Sequence, residues 1–341
     1  MRKKLNLFMT IMVAMLLLTS CQTSNSTNEV EDDQDVIRVG VLIYRFDDQF
    51  IQYVMDEIDK ERAVLEEMSH KPIVVDFVDG NNQADFQFDQ IEDLISLEYD
   101  VLAINLVDRS EAAGVIDLAK AADIPIVFFN REPVQVDMAR WNKIYYVGSK
   151  GEDAGRIQGE IVADTWVSDP GLDRNGDGII QYIMIQGQEG HQDAILRTET
   201  SVKAILDRGL EVEELARDTA NWQRQESKEK FINYLDVFSE ELEFIISNND
   251  MMALGAIDAM KELGYEPEDY IPIVGVDAID DAVEAFNKGE MTGTVINDQS
   301  EQGKMVMRIA YYLALNEDPR DYINGIESGK YYRVEYLKLT K

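Results

Sequence analysis

Cysteine is almost missing from this sequence: Cys21 is the only one in 341 residues, so no disulfide can form within the chain. Positive charge is scarce as well. Against 66 acidic residues stand 32 lysines and arginines, a net charge of −34. Such a field repels phosphate backbones and anionic lipid, which argues against nucleic acid as a partner. The same acidity keeps a secreted chain soluble. There is no glycine-rich phosphate loop. Beyond the N-terminus no apolar run is long enough to cross a membrane.

What is present begins with MRKKLNLFMTIMVAMLLLTSC: a basic start (Arg2, Lys3, Lys4), an apolar run, then small residues before Cys21. That is the layout of a secretion signal, expected over residues 1–20. LTSC resembles the lipobox of bacterial lipoproteins, which makes Cys21 the expected lipidation site. Residues 21–35, polar and then acidic without apolar periodicity, read as a flexible tether. Losing the signal removes three basic residues and no acidic ones, taking the net charge from −34 to about −37.

The remaining length suits about two domains. From Val36 onward short β-rich runs alternate with longer amphipathic ones, the pattern of α/β proteins with parallel sheets. Strands are predicted at 36–44, 72–79, 101–106, 124–130 and 144–149. A second series follows at 181–187, 243–248, 271–277 and 291–298, with helices near 193–208, 224–236, 250–263 and 279–288. IPIVFFN and IPIVGVD share four residues and end in Asn130 and Asp277, which points to a duplicated plan.

Ligands of open α/β sheets bind beyond the carboxyl ends of the strands. The polar residues found there are Asp47 and Asp48, Asn105 and Asp108, Asn130 and Arg131, Asn248 to Asp250, Asp277, and Asn297 with Asp298. Carboxylates, amides and an arginine in fixed planes suit a neutral polyhydroxylated ligand. Phe50 and Trp222 supply rings that could cover the apolar faces of a sugar. Each residue also has a plainer reading: Asp48 and Asn249 as helix caps, Phe50 and Trp222 as core aromatics, His191 as a surface-loop histidine. Farther on, DRNGDGIIQ sets oxygen ligands at alternating positions, Asp173, Asn175 and Asp177, then Gly178, the carbonyl of Ile179, and Gln181. These are the first nine positions of an EF-hand loop, but position twelve is Met184 instead of Glu.

The segments VGVLIYRFDDQF, FFNRE, GQEGHQDAILRT, DTANWQ, SNNDMMALGA, VGVDA and TVINDQ together resemble the galactose/glucose-binding proteins, sugar receptors of ABC transporters, in order from about residue 37 to 335. The resemblance implies the type I periplasmic binding protein fold, two similar doubly wound α/β lobes joined by a three-stranded hinge. The N-terminal lobe would comprise 36–147 plus 298–331 and the C-terminal lobe 148–297 plus 332–341. It implies a hexose held by Asp48, Asn130, His191, Asp193, Arg197, Asn249, Asp277 and Asn297 and sandwiched between Phe50 and Trp222. Asp48 would accept from the hydroxyl at carbon 4, so galactose and glucose are both expected ligands. It also implies a structural calcium ion on Asp173, Asn175, Asp177, Ile179 and Gln181, closed by Glu243 from a distant strand. Gln192 departs from the family's proline, which bears on relative sugar affinity.

The expected role is therefore a lipid-anchored, extracytoplasmic, monomeric receptor that delivers a hexose to a membrane permease, with a chemoreceptor or sensor kinase as an alternative partner. A glycosidase using Asp48 and Asp277 as its carboxylate pair is the enzymatic rival. A sugar-responsive repressor would need a helix-turn-helix where this chain has its signal-like segment.

Overall fold

Valine- and isoleucine-rich runs buried on both faces become the strands of two mostly parallel sheets. The structure is a computed structural model and describes residues 36–341. The expected signal peptide, Cys21 and the tether lie outside the described residues. In the first series β1 is Ile37–Ile43, β2 Ile73–Asp79, β3 Val101–Ile104, β4 Ile126–Phe129 and β5 Ile144–Gly148. The second series comprises β6 (Ile179–Gln186), β7 (Glu211–Thr219), β8 (Phe244–Ser247), β9 (Ile273–Asp277) and β10 (Gly293–Asn297). Three short C-terminal strands follow, β11 (Ile326–Glu327), β12 (Tyr331–Arg333) and β13 (Tyr336–Thr340).

One sheet has the order β11-β12-β5-β4-β3-β1-β2 and the other β13-β10-β9-β8-β6-β7. Parallel registers such as Val39 beside Val101 and Tyr182 beside Phe244 place successive strand ends on one edge of each sheet. Helices cover both faces, as parallel sheets require. On the first sheet, Ile51, Val54 and Ile58 of the helix Gln49–Ser69 pack with Val306 and Ile309 of the helix Gln299–Ala314. The other face buries Phe128 and Tyr146 against Ile91, Val115 and Ile116. On the second sheet, Ile183 and Ile245 meet Phe231, Ile257 and Met260, while Met184 and Val276 meet Ile157 and Ile161.

The chain passes between the sheets three times. It leaves the first after Gly148, returns after Asn297, and leaves again between Arg333 and Tyr336, where β12 pairs with β5 and β13 with β10. The two-lobed, doubly wound fold expected from the sequence is thus the observed one, and the second sheet carries β13 antiparallel at its edge.

Several element bounds differ from expectation. The runs at 101–106 and 124–130 yield only four-residue strands, because Asn105, Leu106 and Asn130 turn away into the loops that follow. β7, EVEELARDT, was not expected: it is an edge strand, largely solvated, and lacks the apolar signature of its buried neighbours. A register shift between Tyr182 and Ile183 accommodates it against β6. No helix among the described residues is long and apolar enough to cross a membrane.

Candidate functional site

Where β1 ends, the chain turns into a helix, and that turn builds the first wall of a cavity. Asp48 is the N-cap of the helix Gln49–Ser69: its Oδ1 accepts from the Ile51 amide at 3.1 Å. Its Oδ2 accepts from the Tyr44 hydroxyl at 2.5 Å. Phe50, on the same first turn, is buried. Beyond β4, Asn130 takes a left-handed φ of 58°, and its carbonyl and side-chain oxygen accept from the Tyr146 hydroxyl (2.8 Å) and Asn105 Nδ2 (3.1 Å). Arg131 stacks over the Tyr44 ring at 3.7 Å and donates to the Val107 carbonyl at 2.7 Å.

The second wall is built the same way. His191 caps the helix Gln192–Asp207, its Nδ1 accepting from the Asp193 amide at 3.1 Å, so the proton of the neutral ring sits on Nε2. Burial, reinforced by the charges of Arg131, Arg197 and Arg109, holds its pKa well below the usual histidine range. Asn249 caps the helix Asp250–Glu262 through Met252 N at 3.0 Å. Trp222 sits at φ 64° and meets the His191 ring edge-on, centroids 5.1 Å apart. Gly187 makes room for it: a Cβ there would lie 2.1 Å from the indole.

Arg197 organises the charges of this wall. It donates to Asp193 Oδ2 (3.2 Å), the Asn248 carbonyl (2.9 Å) and the Tyr336 hydroxyl oxygen (3.1 Å), and stands 4.0 Å from Asp277. Asp277 adopts φ 122°, backbone strain of the kind concentrated at binding sites. Burial pushes its carboxyl well above the usual range, against the opposing pull of Arg197. Burial likewise raises Asp193.

Residues of both walls close on one cavity, lined by Tyr44, Asp48, Phe50, Ile51, Asn130, Arg131, His191, Asp193, Arg197, Trp222, Asn249 and Asp277. The walls touch directly, Arg131 donating to Gln188 at 3.0 Å and Tyr53 to Asp280 at 3.3 Å. Arg197 Nε and Trp222 Nε1 are buried donors with no partner among the described residues. Buried donors are rarely left unpaired in the working state of a protein. Nine of the ten residues expected to hold a sugar line this cavity. Asn297 stands behind it, its Nδ2 donating to Asp277 at 3.2 Å while its Oδ1 accepts from Gln302 at 2.7 Å.

A family profile described as periplasmic binding protein domain matches residues 39–318. The chain belongs to the periplasmic binding protein family. It is 37% identical over 305 residues to the D-galactose/methyl-galactoside binding periplasmic protein MglB of Haemophilus influenzae, covering 89% of each chain. It is 23% identical over 318 residues to the ribose import binding protein RbsB of Bacillus subtilis, covering 91% of this chain and 92% of that one. The crystal structure of an ABC transporter solute binding protein from Bacillus halodurans with bound myo-inositol superposes with a TM-score of 0.73 at 28% identity, covering 90% of this chain and 94% of that one.

In this chain the cavity lies at the facing strand ends of two lobes. Three lining residues stood outside the set expected from the sequence: the apolar Ile51, Tyr44 and Arg131. Tyr44 reads there as the last apolar residue of β1, and its hydroxyl partner Asp48 lies four residues on. Arg131 was noted at a strand end but not assigned; its position directly after Asn130 was the available signal.

The EF-hand-like loop lies elsewhere in the second lobe. Asp173 accepts from the amides of Gly176 (2.8 Å) and Gly178 (3.1 Å), and Asp177 from that of Ile179 (2.8 Å). Glu243, buried just before β8, reaches the loop and accepts from the amides of Arg174 (2.7 Å) and Gln181 (3.1 Å). Burial raises its carboxyl, and the nearby charges of Asp173 and Asp177 add to the rise. Among the described residues no group of three or more His, Cys, Asp or Glu is arranged to hold a metal ion. The Gln181 amide turns its nitrogen to Asp177 at 2.9 Å and leaves its oxygen buried without a partner. An all-oxygen donor set of three carboxylates, two side-chain amides and a carbonyl has calcium chemistry, and a cation would favour the opposite orientation of that amide.

Proposed function

We propose that this periplasmic binding protein is an extracytoplasmic receptor for D-galactose and D-glucose that hands the bound hexose to an ABC-type permease. The carrying observation is the interlobe cavity in which carboxylates, amides, a neutral histidine and Arg197 face one another with an aromatic side chain on each wall. Phosphate is a poor fit, since Asp48, Asp193 and Asp277 share the cavity. Identity to a galactose-binding relative favours a hexose over the inositol and ribose bound by other relatives.

In this reading Asp48, Asp193 and Asp277 accept from sugar hydroxyls, while Asn130, Arg197, Asn249 and the His191 Nε2–H donate or accept. Asn297 positions Asp277. Phe50 and Trp222 cover the two faces of the ring. A ligand that touches both lobes stabilises the closed arrangement, and its loss favours opening at the three crossings. No chemistry on the sugar is required. Asp173, Asn175, Asp177, Ile179, Gln181 and Glu243 would hold a calcium ion that braces the second lobe, and Cys21 would carry the lipid that tethers the receptor.

The test is a calorimetric titration of the purified protein with D-galactose, D-glucose and D-ribose, with and without a calcium chelator. Tight binding of either hexose and none of ribose is expected, together with a lower thermal unfolding temperature after chelation. Absence of hexose binding overturns the ligand assignment. An unfolding temperature indifferent to chelator overturns the calcium assignment.

A further inference from the structure

Directly beside the sugar cavity lies a second, larger one. The two share Arg131, His191 and Asp193 as a common wall. The first lobe contributes Arg109 to the new cavity and the second lobe contributes Gln192. The Nε of Arg109 and the Oε1 of Gln192 are buried, and neither has a hydrogen-bond partner among the described residues.

That leaves an unmet donor and an unmet acceptor in one cavity. Arg109 forms no ion pair among the described residues of this strongly acidic chain, and two carboxylates that line the same cavity are committed elsewhere. Glu132 is held by Arg333 through two contacts of 2.8 Å, and Asp108 accepts from the amide and hydroxyl of Ser110 at 2.8 and 2.7 Å. Those carboxylates, with the exposed Glu189, make the cavity inhospitable to an anion. A hydroxyl group both donates and accepts, so a neutral polyol meets both requirements at once.

Resting on the hexose reading above, we propose that this cavity is a second subsite that takes a complete neutral sugar ring linked to the hexose in the first. The ligand range then includes disaccharides, with Arg109 and Gln192 as the residues that recognise the second ring. The position of Gln192 at the start of the helix that presents Asp193 and Arg197 couples the two subsites through one element.

The test titrates the purified protein with galactose, lactose and melibiose; the two disaccharides join galactose to glucose in opposite anomeric configurations. At least one disaccharide should bind within about tenfold of galactose, and Arg109→Ala should weaken that disaccharide by about tenfold. The same variant should leave galactose within about twofold. Gln192→Ala should lower the ratio of disaccharide to galactose affinity, whatever it does to galactose itself. If galactose binds and neither disaccharide does, the subsite is wrong while the hexose reading stands. Disaccharide binding that ignores both substitutions overturns the assignment of these residues. If galactose itself fails to bind, it is the hexose reading that falls.

Discussion

Replacing Asp48 by alanine removes two bonds within the protein and, on the present reading, a third to the ligand. The Ile51 amide loses its cap at 3.1 Å, which costs about 1 kcal/mol. The Tyr44 hydroxyl loses its acceptor at 2.5 Å, and leaving a buried hydroxyl unpaired costs about 1 to 2 kcal/mol. Together about 2 to 3 kcal/mol of stability should disappear, lowering the thermal midpoint by about 5 °C for a chain of this size. Loss of a charged acceptor for a sugar hydroxyl should weaken hexose binding by about 1.5 to 3 kcal/mol, or roughly 10- to 150-fold. Asp48→Asn separates the effects, because its side-chain oxygen can still cap Ile51 while the charge is gone. Asparagine should therefore recover most of the midpoint and little of the affinity. Differential scanning calorimetry and isothermal titration on the three proteins read both quantities. Alanine and asparagine variants that bind hexose within about twofold of the parent would reduce Asp48 to a helix cap and refute its ligand role.

Two further predictions use other parts of the molecule. Gly187→Ala places a Cβ 2.1 Å from the Trp222 indole, so the ring must move; hexose affinity should fall at least about tenfold and the ligand-induced change in tryptophan fluorescence should diminish. Unchanged binding would mean that Trp222 does not cover the sugar. Asp250 is buried and bonded to the Thr294 hydroxyl (2.6 Å) and the Ile279 amide (3.2 Å), near Arg197 and Asp277. Burial raises its pKa from 3.8 to about 6, so the folded state binds the proton more tightly than the unfolded one. Its contribution is fully present below pH about 4 and is lost as pH rises through 6, by about 3 kcal/mol. The stability of the parent relative to Asp250→Asn, followed by denaturant unfolding from pH 4 to 7, should fall by about that amount. A pH-independent difference would show that Asp250 does not titrate in this range.

The fold was legible because its strands are buried on both faces. IPIVFFN and IPIVGVD carry their apolar signal without help from context, and each ends where the register of the sheet puts a polar residue at the edge. β7 was not legible because an edge strand has one paired side and a largely wet surface, so its glutamates give the signal of a loop. The three crossings depend on pairings such as Tyr331 with Tyr146 and Asn297 with Tyr336, contacts between residues up to 185 positions apart that no local pattern encodes.

At the site, the sequence left helix capping and ligand binding as competing explanations for Asp48 and Asn249, and the structure makes them compatible. A cap must stand at the junction of strand end and helix start, and in an open α/β sheet that junction is also where a ligand sits. Asp48 has two oxygens, one used on Ile51 N, and Asn249 has an oxygen used on Met252 N and an amide nitrogen left over. His191 follows the same scheme, spending Nδ1 on Asp193 N and keeping Nε2. Each cap thus fixes the side chain's orientation, so that on the proposed reading the remaining polar atom is held in place before any sugar arrives. On the same reading that lowers the entropy cost of binding, and it requires that a cap with no polar atom to spare fail here. Serine at position 48 could close the helix but would have no second oxygen for Tyr44 and ligand together, so it should preserve the fold better than the affinity.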